Sequence, residues 1–85
     1  MLLLGQLLDV LDNNEVVTLK GRNIIFIEEL KLSEAKQLLT KEARTLVVEQ
    51  LYSDTIQKER TIEGSQTVIY IKPNGLFIRN GEVTN

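Results

Sequence analysis

The hydrophobic positions near the start of the chain recur with a helical spacing. From Leu3 to Leu11 they fall at positions 3, 4, 7, 8 and 11, which form one face of an amphipathic helix. Asp12-Asn13-Asn14 follows, and asparagine tolerates the left-handed conformation in which helices commonly end. The pattern predicts a first helix over about residues 2–12.

Two runs rich in β-branched residues come next, Glu15 to Lys20 and Asn23 to Glu28. Gly21-Arg22 lies between them and predicts a β-hairpin with a short turn, for which Gly21 supplies a positive φ. The second run is apolar on both faces, which favours a central strand covered on both sides. An alternative is that one of its faces meets a partner.

Ser33 is the predicted N-cap of a second helix over about residues 33–43. Its apolar stripe is narrow and consists of Ala35, Leu38, Leu39 and Ala43. The chain then returns to strand composition from Thr45 to Tyr52. From 53 to 65 the large apolar residues are Ile56 and Ile62 alone, so we expect a long, mobile hairpin connection there, with a partly extended backbone as an alternative.

The last third of the chain reads as strands and turns. Gln66 to Lys72 predicts a strand, Pro73-Asn74-Gly75 a tight turn, and Leu76 to Arg79 a further strand. Asn80-Gly81 predicts a second turn before a short end. The element order helix-strand-strand-helix-strand-strand-strand predicts an α+β fold, with two short helices packed on one face of a mostly antiparallel five-stranded sheet.

Composition agrees with one small globular domain over residues 1–85. Hydrophobic residues make up 42% of the chain, and charged residues of both signs make up 26%. A core of this size leaves a thin stability margin, which self-association could widen. Met1-Leu2-Leu3-Leu4 lacks a basic flank and soon meets acidic residues, so we expect no signal peptide or membrane span, and a cytoplasmic location.

The residue inventory removes most enzymatic chemistry. The chain has no cysteine and no histidine, which excludes thiolate nucleophiles, disulfides and the commonest metal ligands. Asp9, Asp12 and Glu15 lack the spacing of a calcium loop, so a solvated helix end is the favoured interpretation. Glu28-Glu29 is interpreted as the polar end of a strand. We predict no catalytic residue, no metal and no cofactor, although an enzyme that uses only Asp, Glu, Lys or Tyr stays a third hypothesis.

Binding is the function class that remains, with protein favoured over nucleic acid. An apolar late strand at a sheet edge invites pairing with another chain, and the predicted partner-binding residues are Tyr70, Phe77, Ile78 and Arg79. An equal alternative is that the last residues of the chain cover this strand. Core packing is the competing interpretation of the two aromatic residues. We therefore expect a non-enzymatic accessory or adaptor domain that binds another protein or a second copy of itself.

Nucleic-acid binding is the alternative. A basic strip beside the aromatic side chains would consist of Lys58, Arg60, Lys72 and Arg79. Glu59, Glu63 and Glu82 interrupt it, and the formal net charge of −2 is unlike that of a dedicated nucleic-acid binder.

The junction of the first helix and first strand carries one resemblance. Leu7-Leu8-Asp9-Val10-Leu11-Asp12-Asn13 followed by Val16-Val17-Thr18-Leu19 resembles small uncharacterised proteins of Gram-positive phages and other mobile elements. The resemblance covers about the first third of the chain, and its motif contains no functional residue. It implies a phage or mobile-element setting and carries over no site.

Overall fold

The chain forms two α-helices, one 3₁₀ helix and six strands in a computed structural model that describes residues 1–22, 24–72, 77–79 and 82–84. The helices are α1 (Leu4–Val10), α2 (Leu32–Leu38) and the 3₁₀ helix (Ala43–Thr45). The strands are β1 (Val16–Gly21), β2 (Ile24–Lys31), β3 (Val48–Lys58), β4 (Thr61–Ile71), β5 (Phe77–Arg79) and β6 (Glu82–Thr84).

The main sheet has four strands in the order β2-β1-β4-β3. Each outer strand pairs antiparallel with its neighbour in sequence, whereas β1 and β4 pair in parallel, from Val17 opposite Thr67 to Lys20 opposite Tyr70. Strands β5 and β6 form a separate two-stranded sheet. The predicted α+β class is confirmed, but the main sheet has four strands where five were predicted, and one of its three pairings is parallel. Local patterns reveal hairpins, and they do not reveal which strands meet across the sheet.

One buried cluster joins both helices to the same face of the sheet. Successive strand side chains alternate between faces, and the buried residues Val17, Leu19, Ile69 and Ile71 therefore point the same way. The helices contribute five buried residues to this cluster, Leu4, Leu7 and Leu8 from α1 and Leu32 and Ala35 from α2. The sheet face away from the helices is called the open face below.

Strand β2 lies at an edge of the sheet, so the prediction of a central strand was wrong. Ile27 is buried in the core, while Ile25 is opposite Lys20 on the open face and is 53% exposed. An apolar run looks the same in the sequence whether or not its second face is covered. Whether a partner covers this face stays a prediction.

Strand β2 is also irregular. Two register shifts each leave an additional residue in β2 opposite β1, and Glu29 has a φ of 50°. The buried hydroxyl of Thr18 compensates at this point, because it accepts the Glu29 N–H at 3.1 Å and donates to Gln66 Oε1. The distorted backbone thus keeps its hydrogen bonds.

The segment 53–65 is not a long connection. Residues 53–58 continue β3 and residues 61–65 begin β4, so the connection is the two-residue turn Glu59-Arg60. Strand β1 pairs with β4 only from Thr67 onward, and the outer part of the hairpin, residues 53–66, is called the ribbon below. Its composition is polar because both faces are largely exposed. Its mobility stays a prediction.

The second predicted helix is split in two. Helix α2 ends at Leu38, Leu39 is extended with a ψ of 130°, and the 3₁₀ helix begins at Ala43. Leu39 and Ala43 are nevertheless buried in the core, which is why their spacing resembled one continuous stripe. Strand β3 accordingly starts at Val48, three residues after the predicted Thr45.

Candidate binding surface

The open face of the sheet carries a row of long polar and aromatic side chains. The register places Lys20 on β1 opposite Tyr70 on β4, and Tyr70 opposite Gln50 on β3. The neighbouring row places Tyr52 opposite Val68, which is 3% exposed although it lies outside the main core cluster. Aromatic side chains therefore lie on two adjacent strands.

A concavity of about 540 Å³ opens beside Tyr70 at the end of β4. It is lined by Arg22, Glu49, Gln50, Tyr70 and Lys72. The parallel pairing explains this composition. Lys20 lies opposite Tyr70, and Arg22 and Lys72 each come two residues later in the chain, so they end up side by side. We call these five residues, with Lys20 and Tyr52, the Tyr70 patch.

Lys20 and Tyr52 interact directly within the Tyr70 patch. The Lys20 Nζ lies 5.6 Å from the centroid of the Tyr52 ring, within cation–π range. Hydrogen bonding to Tyr52 raises the pKa of Lys20 above its ordinary value, and the charge of Asp54 acts in the same direction. Lys20 therefore stays cationic at neutral pH and holds its charge beside an aromatic ring.

The predicted site residues divide between separate places. Tyr70 and Lys72 are together in the Tyr70 patch. Lys58 and Arg60 are at the turn of the β3–β4 hairpin, and eleven residues of strand separate that turn from Lys72, roughly 35 Å. Lys58 and Arg60 therefore do not join Lys72 in one basic strip, and nucleic-acid binding by any of these residues stays a prediction.

The C-terminal part of the prediction is only partly described. Phe77, Ile78 and Arg79 form β5, which pairs with β6 from Phe77 opposite Thr84 to Arg79 opposite Glu82. These three residues lie outside the main sheet, and the pairing with β6 agrees with the alternative that the last residues cover their strand, on one side. Their side chains lie outside the described part of the chain, so their roles as partner-binding or nucleic-acid-binding residues stay predictions.

Two basic residues of the Tyr70 patch, Lys20 and Arg22, were missed by the sequence analysis. Both belong to the first hairpin, and nothing in their local sequence connects them with Tyr70, 50 positions further along. The alternation of Thr18 and Lys20 against Val17 and Leu19 does indicate a polar face on β1. The missing information was the parallel pairing.

A second concavity, of about 380 Å³, lies where β1 begins and is lined mainly by polar residues. Thr67 donates its hydroxyl hydrogen bond to Glu15 Oε2 at 3.2 Å, and Asp12 Oδ1 accepts the Asn14 N–H at 2.8 Å. These carboxylates are engaged in local hydrogen bonds. Over the described ranges, acidic residues form no group of three or more that could hold a metal ion.

Comparison of the chain with protein-family models, with curated proteins and with solved structures finds no match. Within the part of the chain that the structure describes, neither α-helix has the length and apolar character needed to cross a membrane. The geometry of the Tyr70 patch is therefore the basis for the functional argument.

Proposed function

We propose that this domain is a non-enzymatic binding domain whose Tyr70 patch binds a segment of another protein that carries carboxylates beside apolar side chains. The observation that carries the proposal is the placement of Lys20, Arg22 and Lys72 around Tyr70 on one open sheet face. Tyrosine and arginine are enriched at protein interfaces, where an apolar centre is surrounded by a polar rim.

The chemistry of the patch supports a peptide that is both acidic and apolar. The ring of Tyr52 is 39% exposed and that of Tyr70 is half-buried, so both can still lose apolar surface to a partner. The guanidinium of Arg22 can receive a carboxylate in a two-pronged hydrogen bond, and Lys72 adds a point charge. Glu49 at the rim would receive a basic or amide group from the same segment.

Single-stranded nucleic acid is a second candidate, because the same three cations surround aromatic rings on which bases could stack. Charge favours the protein segment. The chain as a whole has a net charge of −2, and Glu49 and Asp54 lie at the patch, so a polyanion is repelled at long range. A segment with one or two carboxylates meets mainly the local positive groups.

The proposal is tested by selecting from a displayed library of random linear peptides with the full chain as target. We expect the selected peptides to be enriched in Asp or Glu next to aliphatic or aromatic residues. For a synthetic peptide from that set, Lys72→Glu and Tyr70→Ala should each weaken binding about tenfold or more, as central interface residues do. Fluorescence anisotropy gives the affinities, and circular dichroism checks that each variant folds.

Lys41→Glu is the matched control, because it makes the same charge change at an exposed residue outside the patch. It should leave the affinity unchanged. Selection without acidic enrichment, or equal loss in Lys72→Glu and Lys41→Glu, would refute the proposal. Binding of a single-stranded oligonucleotide that falls steeply between about 50 and 200 mM salt would instead establish the second candidate.

A further inference from the structure

The outer edge of β3 is a long, regular strand edge in the part of the chain that the structure describes. The first residues of β3 are covered, because Leu3 forms a bridge with Val47 and Val48 donates to the Leu2 carbonyl at 2.8 Å. From Gln50 to Lys58 no other described strand pairs with this edge. Half of the backbone N–H and C=O groups in that stretch therefore point away from β4.

The two edges of the sheet differ in how they resist pairing with another chain. Edges are usually protected by bulges, proline, short length or inward-pointing charges. Strand β2 has two bulges and a positive φ at Glu29, which distort its edge. Strand β3 has its own additional residue at Glu49, and the next irregularity places the additional residue, Glu63, in β4. From Gln50 to Lys58, β3 thus has no additional residue of its own, and it contains no proline.

The ribbon, to which most of this edge belongs, has little support of its own. Strand β1 does not extend along residues 53–66, so the ribbon consists of two strands with largely exposed faces. An isolated two-stranded hairpin is only marginally stable in water. The ion pair between Lys58 and Glu63 is 3.8 Å long, and its side chains are 70% and 48% exposed, so it contributes little. Additional strands beside the ribbon would stabilise it.

The charges on this edge favour a second copy of the same chain over other occupants. Asp54 and Lys58 are the charged residues from Gln50 to Lys58, and they lie four positions apart on one face of β3. When two copies of β3 pair antiparallel about Ile56, each Asp54 lies opposite the Lys58 of the other copy. Nucleic acid fits less well, because the ribbon carries three acids and two bases: Asp54, Glu59, Glu63, Lys58 and Arg60.

We infer that two copies of this chain associate through the β3 edge of the ribbon, antiparallel and centred on Ile56. The side chains of Ile56, half-buried in the single chain, then pack against each other on the twofold axis. The interface involves only residues 54–58 of each copy, so it belongs to the small, weak class of protein contacts. This association goes beyond the proposed function and uses none of the seven residues that define the Tyr70 patch, although Asp54 is close enough to Lys20 to raise its pKa.

A cysteine introduced on the axis gives a direct test, because the chain has no cysteine of its own. Under mild oxidation, Ile56→Cys should form a disulfide-linked dimer about tenfold faster than Ile62→Cys, since only the axial residues come within disulfide distance. Ile62 is the matched control because it is an exposed isoleucine on the other strand of the ribbon. Equal rates for the two variants would overturn the inference.

Charge exchange tests the same arrangement without a covalent bond. Asp54→Lys and Lys58→Asp should each weaken self-association roughly threefold to tenfold, and the double variant should restore it, because cross-strand charge pairs act through proximity. Sedimentation equilibrium measures the dissociation constants. A monomer at every concentration, or a dimer that both single changes leave intact, would contradict the inference. Lys72→Glu should leave the dimer unchanged, which separates this test from that of the Tyr70 patch.

Discussion

Glu59 occupies a backbone conformation that is costly for its residue type. It is the first residue of the two-residue turn between β3 and β4, and its φ is 57°. A left-handed backbone costs an L-amino acid about 1–2 kcal/mol, whereas glycine adopts it without this steric cost. Tight hairpin turns favour glycine at such positions for that reason. The turn at the end of the ribbon is therefore under strain that one side chain causes.

We expect Glu59→Gly to raise the free energy of unfolding by about 0.5–1 kcal/mol, which is the relieved strain less the entropy cost of glycine. Thermal denaturation followed by circular dichroism measures the change. The control is Glu42→Gly, where φ is −64° and glycine brings only the entropy cost, so stability should fall. A fall in both variants would show that the turn is not strained.

Helix α1 depends on a close approach to the 3₁₀ helix at Gly5. A Cβ atom added to Gly5 would lie 3.0 Å from Arg44 Cβ and 3.2 Å from the Arg44 carbonyl oxygen. The backbone of Arg44 is held by hydrogen bonds from its N–H to the Thr40 and Lys41 carbonyls, and its guanidinium donates to the Lys36 carbonyl at 3.1 Å. Because these groups are fixed, Arg44 has little room to yield to a larger residue at position 5.

Gly5→Ala should therefore destabilise the protein by about 1 kcal/mol, because the overpacking outweighs the helix propensity of alanine. Urea denaturation gives the free energies. Gly64→Ala is the control, since a Cβ there meets nothing within 4 Å. The stability of this variant should equal that of the original chain or exceed it slightly. A stabilised Gly5→Ala variant would show that Arg44 moves aside.

The elements of this fold were predictable where their patterns are local. The spacing from Leu3 to Leu11 predicted α1, and the β-branched runs around Gly21 predicted the first hairpin. The ribbon was not predictable, because a strand that is exposed on both faces lacks the alternation of apolar and polar residues by which strands are recognised. The break after Leu38 was missed as well, since Leu39 and Ala43 enter the core from outside a helix at the spacing that a helix would give.

At the scale of the whole molecule, the proposed self-association would link stability to protein concentration. The buried apolar residues in the described part of the chain form one cluster, and the four-stranded sheet is covered by helices on one face. Association through β3 binds the folded state and not the unfolded one, so it stabilises the folded chain by mass action. The midpoint of thermal unfolding should therefore rise with protein concentration, as differential scanning calorimetry would show.

Asp54→Lys is the matched variant for that measurement, because its midpoint should depend less on concentration than that of the original chain. A midpoint that is independent of concentration in both proteins would argue against a folded dimer.

Only part of the Tyr70 patch was predictable from the sequence. Tyr70 on β4 and Lys72 just after it were both predicted as site residues, for protein and for nucleic acid respectively, whereas Lys20 and Arg22 reach them through the parallel contact of β1 with β4. Lys58 and Arg60 are also basic residues near the last strands in the sequence, but they lie at the turn, at the other end of the hairpin from Lys72. A surface assembled by strand order is thus invisible to reasoning from neighbouring residues.

The parallel contact between β1 and β4 also constrains the order in which the chain can fold. Val17 and Thr67 are 50 positions apart, and closing so long a loop costs entropy before any contact repays it. Each hairpin can close locally, but Ile69 and Ile71 on β4 complete the buried layer. The meeting of the two hairpins, and not the closure of either one, is therefore expected to limit the rate of folding.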